Sequence, residues 1–400
     1  MKRKIGSIAV AVIMAAALLA GCGNKSTGAA NETDTTASEK TDGLKEEKKE
    51  DETKKAEQKT ESSEEAKEMT VTDMAGRVVT IPAGAEKFAA IGPGCLRLYC
   101  YVADTSALVG AEQIEIDDAT GRSYVMADKD IQKLSSIGAG GPTNAPDPEK
   151  LLTADPDVIF TCYNSDVAAI DDLQEKTGIP VVSLSYGEVS VFDPAVDESL
   201  TLVGKITGHE KRAEEIIRYI ADAKADLNER TKDIPEEDRP VVYLAGQSMR
   251  GSHGIESTSG NYALFDAVNA RNVVSEAGIH EYVMLDKEKI LEMDPEIIIV
   301  EAGGLPLILE DYESDPSFYE GLQAVKNNRL YLQLPYNYYS CNIDVAIADA
   351  YYFGTLFYPE EFQDIDPAKK FDEITTEMVG APLYAEYSEA YGTFGTVTLK

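Results

Sequence analysis

The sequence predicts an α/β protein built as two lobes of mainly parallel, wound sheet with one long helix between them. Three observations carry that expectation. The first is a segment used twice: Asp147–Thr161 reads against Asp286–Val300 at an offset of 139 residues without a gap, with seven of fifteen positions identical. Each copy has a capping Asp, a short helix with Leu or Ile on its inner face, and Asp-Pro as a stop. An apolar run (Val158-Ile159-Phe160; Ile297-Ile298-Ile299) then reads as a buried strand. Solenoid repeats run about 20–50 residues, so this longer period points to two similar lobes. The second observation is the alternation of strand-like and helix-like stretches in both halves, the pattern of a wound parallel sheet. The third is the middle of the chain. Pro194–Ile206 and Glu210–Arg230 read as helices broken at Thr207-Gly208. Ala213, Ile216, Ile217, Ile220, Ala223 and Leu227 stripe one face of the second, which spans about 30 Å.

Taken in order, Lys2-Arg3-Lys4 ahead of the apolar stretch Ile8–Ala20 reads as a secretory signal over residues 1–21, too short to span a membrane. It ends in Leu19-Ala20-Gly21-Cys22, which resembles a bacterial lipobox. Cleavage before Cys22 and lipid on its thiol are therefore expected, anchoring the chain on the outer, extracytoplasmic face of the cell membrane. Residues 22–69 form a Lys/Glu-rich disordered tether with almost nothing to bury. An N-terminal lobe follows at 70–192, a linker with the long helix at 193–236 and a C-terminal lobe at 237–400.

In the first lobe, Met69–Asp73 and Arg77–Ile81 alternate around Ala75-Gly76 as a hairpin. Phe88–Ile91 is a buried strand running into Gly92-Pro93-Gly94, and Cys95–Val102 has helical spacing. Further strands are expected at Ala107–Ala111, Leu134–Ile137, Val158–Cys162 and Val181–Leu184, with a helix over Val167–Thr177. The second lobe opens on the strand Val241–Ala245 and the polar, glycine-rich loop Gly246–Gly260. A helix near Tyr262–Asn269, the second copy of the repeat, a strand at Leu330–Leu332, the aromatic cluster Tyr336–Tyr339 and helices at Ile343–Leu356 and Pro367–Val379 complete it.

The net charge is −34, of which residues 24–69 hold −5 and the signal +3, leaving −32 on the folded part. So acidic a body argues against nucleic acid or anionic lipid as a partner, and a bound anion would need a local positive pocket. Beyond Cys22 the cysteines are Cys95, Cys100, Cys162 and Cys341. Cys95 and Cys100 lie five apart on one helix, a poor disulfide geometry, and no zinc-type spacing occurs, so all four read as small, mostly buried thiols.

Several separated motifs carry a resemblance over about residues 70–380. They are Val71-Thr-Asp-Met-Ala-Gly-Arg-Val-Val-Thr-Ile-Pro82, Phe88–Gly94, and Pro148-Glu149 ahead of Asp155-Pro-Asp-Val-Ile159. Gly204–Ala213, Gly251-Ser-His-Gly-Ile-Glu-Ser-Thr258, Tyr336-Asn-Tyr-Tyr339, Tyr358-Pro-Glu and Asp364-Ile-Asp-Pro367 continue the series. In this order they resemble the substrate-binding proteins of bacterial ABC importers for ferric siderophores, haem and cobalamin. That is the class III periplasmic-binding-protein type with a rigid inter-lobe helix. The resemblance implies two Rossmann-like lobes, a ligand between them, and docking on a permease through one acidic residue per lobe, which falls on Glu149 and Glu288.

The ligand is expected where open α/β sheets place theirs, outside the strands' carboxyl ends. Gly92-Pro93-Gly94 leads into a helix whose free N–H groups suit anionic oxygens, with Arg97 in its first turn. Tyr163 follows the Val158–Cys162 strand. Across the cleft lie Arg250 and His253, the latter a possible metal ligand, and the tyrosines Tyr336, Tyr338 and Tyr339 that would stack on a planar chelate or coordinate iron. A bare divalent metal is a poor fit to three scattered histidines. No G-x-S-x-G elbow, Walker loop or Cys–His pair suggests catalysis. The expected function is a monomeric receptor without cofactor or enzymatic activity. It captures a ferric-siderophore-type complex, a small-molecule metal chelate, for a permease and its ATPase. A molybdate or tungstate receptor of the same fold and a non-transport adhesin or sensor stay open as alternatives.

Overall fold

The computed structural model describes residues 68–163 and 166–399. The signal, Cys22 and nearly all of the tether (22–69) lie outside them. The described residues form one compact unit.

The hairpin pairs β1 (Met69–Thr72) with β2 (Val78–Ile81). Its Thr-Asp…Gly-Arg motif is a docking clip. Asp73, 5 % exposed, takes the Ser183 N–H and an Arg77 guanidinium N–H at 3.1 and 3.0 Å, and Arg77 also reaches the Val181 carbonyl at 3.0 Å. The first lobe's sheet is parallel, in the order β3 (Phe88–Ile91), β4 (Val158–Thr161), β5 (Val181–Ser183). The strands expected at 107–111 and 134–137 are reduced to single bridges, Phe88 to Leu108 and Ala111 to Ser136. A 3₁₀ turn takes up Thr105–Ala107. At Gly110 a Cβ would stand 2.6 Å from the Ser135 carbonyl, so the chains approach too closely there for a side-chain-bearing ladder.

The second lobe carries β6 (Val241–Ala245), β7 (Ser257–Ser259), β8 (Arg271–Asn272), β9 (Tyr282–Met284), β10 (Ile297–Glu301), β11 (Leu330–Gln333) and β12 (Gly395–Thr396). Its main sheet runs β12-β11-β10-β6-β8, with only β12 antiparallel, while β7 and β9 form a separate antiparallel pair. The repeat holds in its helix, stop and strand. Of the two expected caps, only Asp147 accepts a helix N–H, from Lys150 at 3.1 Å, while the Asp286 side chain makes no cap bond. Helices Pro148–Ala154 and Lys287–Met293 are each seven residues, with Leu151 and Ile290 fully buried. Both end on an Asp in the left-handed region, Asp155 at φ 54° and Asp294 at φ 37°, before Pro turns the chain into the central strand β4 or β10. Asp tolerates this conformation better than most residues, and Pro forbids continuing the helix.

Between the sheets run two helices, Pro194–Thr207 and Glu210–Thr231, joined at Gly208 (φ 75°). The second has 22 residues, about 33 Å at 1.5 Å per residue. It buries Ala213, Ile216, Ile220, Ala223 and Leu227, and at its end Arg230 grips both Asp364 oxygens at 2.7 and 3.0 Å. These side chains belong to a single core that continues from Phe160 and Leu184 of the first lobe to Leu244, Ile299 and Phe353 of the second. Continuous packing of this kind leaves little freedom for a hinge.

Candidate functional site

The carboxyl ends of both parallel sheets are elaborated by the loops that define the site. Between them lies a cleft of about 360 Å³. Glu188, Val189 and Ser190, just past β5, form its first-lobe wall. The second lobe supplies Gln247 and Met249 after β6, Ser259, Asn261 and Tyr262 after β7, His280, Glu281 and Tyr282 at β9, and Tyr336, Asn337 and Cys341 after β11. The first-lobe wall is shaped by Asp193, whose carboxylate takes the N–H groups of Glu188, Val189 and Ala195. Tyr262, 2 % exposed, donates to Gln333 Oε1 at 2.8 Å and stands 6.3 Å from the Tyr336 ring, while the Tyr282 hydroxyl accepts from Ser257 at 3.0 Å. The wall is aromatic, with amide and hydroxyl groups for orientation, a composition suited to small-molecule recognition.

Of the residues expected from sequence, Tyr336 lines this cleft. Most of the others are drawn into two neighbouring clusters, and Arg250 and His253 into neither. Arg97 is not an open cation: it is 0 % exposed. Its Nε donates to Asn342 Oδ1 at 2.7 Å, and its terminal nitrogens to the carbonyls of Tyr338 (2.8 Å), Cys341 (3.1 Å) and Tyr339 (3.3 Å) and to the Tyr186 hydroxyl (3.3 Å). The cause is the turn at 337–341, where Tyr339 (φ 53°) and Ser340 (φ 69°) are both left-handed and aim carbonyls inward. Buried carbonyls need donors, and a guanidinium offers five in a fixed plane. Arg97 thereby ties the first lobe to the second, reinforced by the Tyr101 hydroxyl on Asp344 at 2.8 Å and by Asn342 Nδ2 on the Gly121 carbonyl at 2.7 Å.

Gly92, Tyr163 and Tyr339 meet on Glu112, which sequence reasoning missed. Its carboxylate accepts from the Gly92 N–H (2.9 Å), the Tyr163 hydroxyl (2.8 Å) and the Tyr339 hydroxyl (2.7 Å). The N–H at Gly92, expected to greet a ligand anion, is met by the protein's own. Pro93 is partly exposed. Gly94 packs against Tyr186 and Ser340 so closely that a Cβ would meet atoms of both at under 3 Å. Tyr338 lies beneath the guanidinium of buried Arg122 (5.0 Å to the ring centre), a second unforeseen arginine. Arg250 is exposed at the loop tip, and His253 turns its Nε2 to the Met249 carbonyl at 2.9 Å; neither lines the cleft. Among the described residues no group of three or more His, Cys, Asp or Glu is placed to hold a metal ion. Cys95, Cys100, Cys162 and Cys341 are free thiols.

Burial pushes three nearby carboxyls up. Glu115, with one oxygen on the Tyr124 hydroxyl and Glu112 close by, rises to about 8, Glu301 to about 7, and Glu112 also rises. An acid whose folded pKa exceeds its unfolded value of about 4.3 is undisturbed below that value and costs stability as pH climbs through the folded pKa. Thermal melting is therefore expected to fall between pH 5 and pH 8, and Glu115→Gln and Glu301→Gln to flatten the fall. A melting temperature that rises across that window would contradict this assignment.

The family described as periplasmic binding protein matches residues 100–335. An uncharacterized ABC transporter substrate-binding lipoprotein of Bacillus subtilis is 20 % identical over 331 residues, 83 % of this chain and 90 % of the relative. The iron-uptake system-binding protein of the same organism is 29 % identical over 197 residues, 47 % of this chain and 58 % of its own length. Among solved structures, the molybdate-binding protein MolA of Haemophilus influenzae superposes with a TM-score of 0.62 at 19 % identity, covering 78 % of this chain and 98 % of that one. A periplasmic solute-binding protein of Veillonella parvula reaches 0.64 at 19 %, over 81 % and 97 %. The likeness to these structures is one of overall fold. The chain belongs to the periplasmic binding protein family, as a substrate-binding protein of an ABC transporter.

Proposed function

We propose that this protein captures a ferric chelate of the siderophore type in the cleft between its lobes and delivers it to a permease powered by its ATPase. The observation that carries this reading is the wall of Tyr262, Tyr282 and Tyr336 with Gln247, Asn261 and Asn337 among them. Such a surface holds the organic shell of a metal complex by contact and hydrogen bonds and leaves the metal's own ligands undisturbed. The iron-uptake relative supports the choice of iron. A molybdate or tungstate anion fits less well, because Arg97 is consumed inside the fold and Arg250 stands off the lining. The protein acts as a monomer without catalysis or cofactor, held on the outer face of the membrane by lipid on Cys22. Glu149 and Glu288, both exposed on the repeated helices, meet the permease.

Titration calorimetry with ferrichrome, a ferric hydroxamate, tests the site. Tyr282→Ala and Tyr336→Ala are each expected to weaken binding about tenfold, or ~1.4 kcal/mol. Unchanged affinity in both variants would move the ligand elsewhere.

A further inference from the structure

The cleft has a charge character that the family fold does not dictate. Among the described residues that line it, none is Lys or Arg, while Glu188 of the first lobe and Glu281 of the second are both exposed on it. Glu301, at the carboxyl end of β10, is a buried carboxyl behind the wall. One of its oxygens takes the Ser248 N–H at 3.2 Å and the other is buried without a partner. Neither buried arginine stands on the lining: Arg97 holds the turn at 337–341, and Arg122 lies over Tyr338 and donates to the Asp118 carbonyl, its Nε left without a partner. The other polar groups on the lining are amides, hydroxyls and the His280 imidazole, and Gln247 Oε1 is a buried acceptor with no donor. Beyond the cleft, the whole chain carries −34, so the long-range field also draws cations and repels anions. A trianionic complex entering here would lose its hydration and find no Lys or Arg on the lining to compensate, the cost of burying an unpaired charge.

We propose that this cleft takes complexes of zero or positive net charge and rejects anionic ones. Glu188 and Glu281 set the preference. This inference rests on the receptor reading above and narrows its substrate class: hydroxamate-type ferric complexes fit, ferric tricatecholates do not.

The test compares three iron complexes by calorimetry on the purified protein: ferrioxamine B (cationic), ferrichrome (neutral) and ferric enterobactin (trianionic). The cationic and neutral complexes are expected to bind and the trianionic one to fail. Substituting both Glu188→Gln and Glu281→Gln should narrow the ratio of cationic to neutral affinity by about threefold to tenfold, the scale of two partly exposed charges. Raising the salt should narrow it likewise. Binding of ferric enterobactin as tight as that of ferrichrome would overturn the proposal, and so would a ratio untouched by the double substitution. Should no iron complex bind, the iron reading fails by itself. The charge rule is then read from a cationic dye, thioflavin T, against anionic anilinonaphthalenesulfonate, each checked for loss on Tyr336→Ala. Cleft binding of the cationic dye alone supports the rule; cleft binding of the anionic dye, or of neither, overturns it.

Discussion

Arg97→Met is expected to lower stability by about 3–5 kcal/mol, a large share of the roughly 5–15 kcal/mol that holds a typical domain together. The methionine fills much of the volume but donates nothing. The carbonyls of Tyr338, Tyr339 and Cys341 lose their buried donor together, and the Asn342 side-chain oxygen keeps only the Ser123 hydroxyl at 3.3 Å. Each such group left without a partner costs about 1–3 kcal/mol before the turn relaxes. Arg97→Lys should rescue little, because one ammonium cannot reach five acceptors arrayed around the three nitrogens of a planar fork. Denaturant titration at constant slope reads the loss directly. A change below about 1 kcal/mol would show that the two lobes do not depend on this tie. The same variant separates the structural role from the anion-binding role that position 97 suggests in sequence, since ligand affinity measured well below the melting point should move far less than stability.

How much could be read from the sequence follows from how local each feature is. The repeat was legible because its parts are short-range rules: an acidic helix start, an inner Leu151 or Ile290, and Asp-Pro as a stop. The helices Cys95–Val102, Val167–Thr177 and Pro367–Val379 match their expected bounds for the same reason. Leu108 and Ala111 were expected within a full strand, but Gly110 and a 3₁₀ turn leave only two bridges, a matter of how near another chain passes. The site was less legible because its contacts are distant in sequence. Nothing around Arg97 shows that a left-handed turn at Tyr339 and Ser340, more than two hundred residues later, will need its donors. Glu112 carries no motif, yet it gathers Gly92, Tyr163 and Tyr339. His253 drew notice through its glycine- and serine-rich loop, whereas His280 and Tyr282, in an unremarkable strand entry, line the cleft.

The second large effect concerns delivery, and it bears on the claim that this chain is one half of a handover. Glu149 and Glu288 occupy the same position in the two seven-residue helices of the repeat, both exposed. One turn further on, Leu152 and Leu291 recur as well, 49 % and 37 % exposed, so each lobe offers an acid beside an apolar contact. A partner with matching basic groups in each half would be steered by the acids and held by the leucines. Neither glutamate touches the cleft, so charge reversal should leave capture intact and break transfer. The deciding measurement is radioiron uptake by cells that express the protein with its permease and ATPase, run beside calorimetry on the purified variants. Substituting both Glu149→Arg and Glu288→Arg is predicted to abolish uptake while ligand affinity stays within about twofold, less than 0.5 kcal/mol. Uptake at the normal rate in the double variant, with the protein present at the membrane in normal amount, would contradict the account.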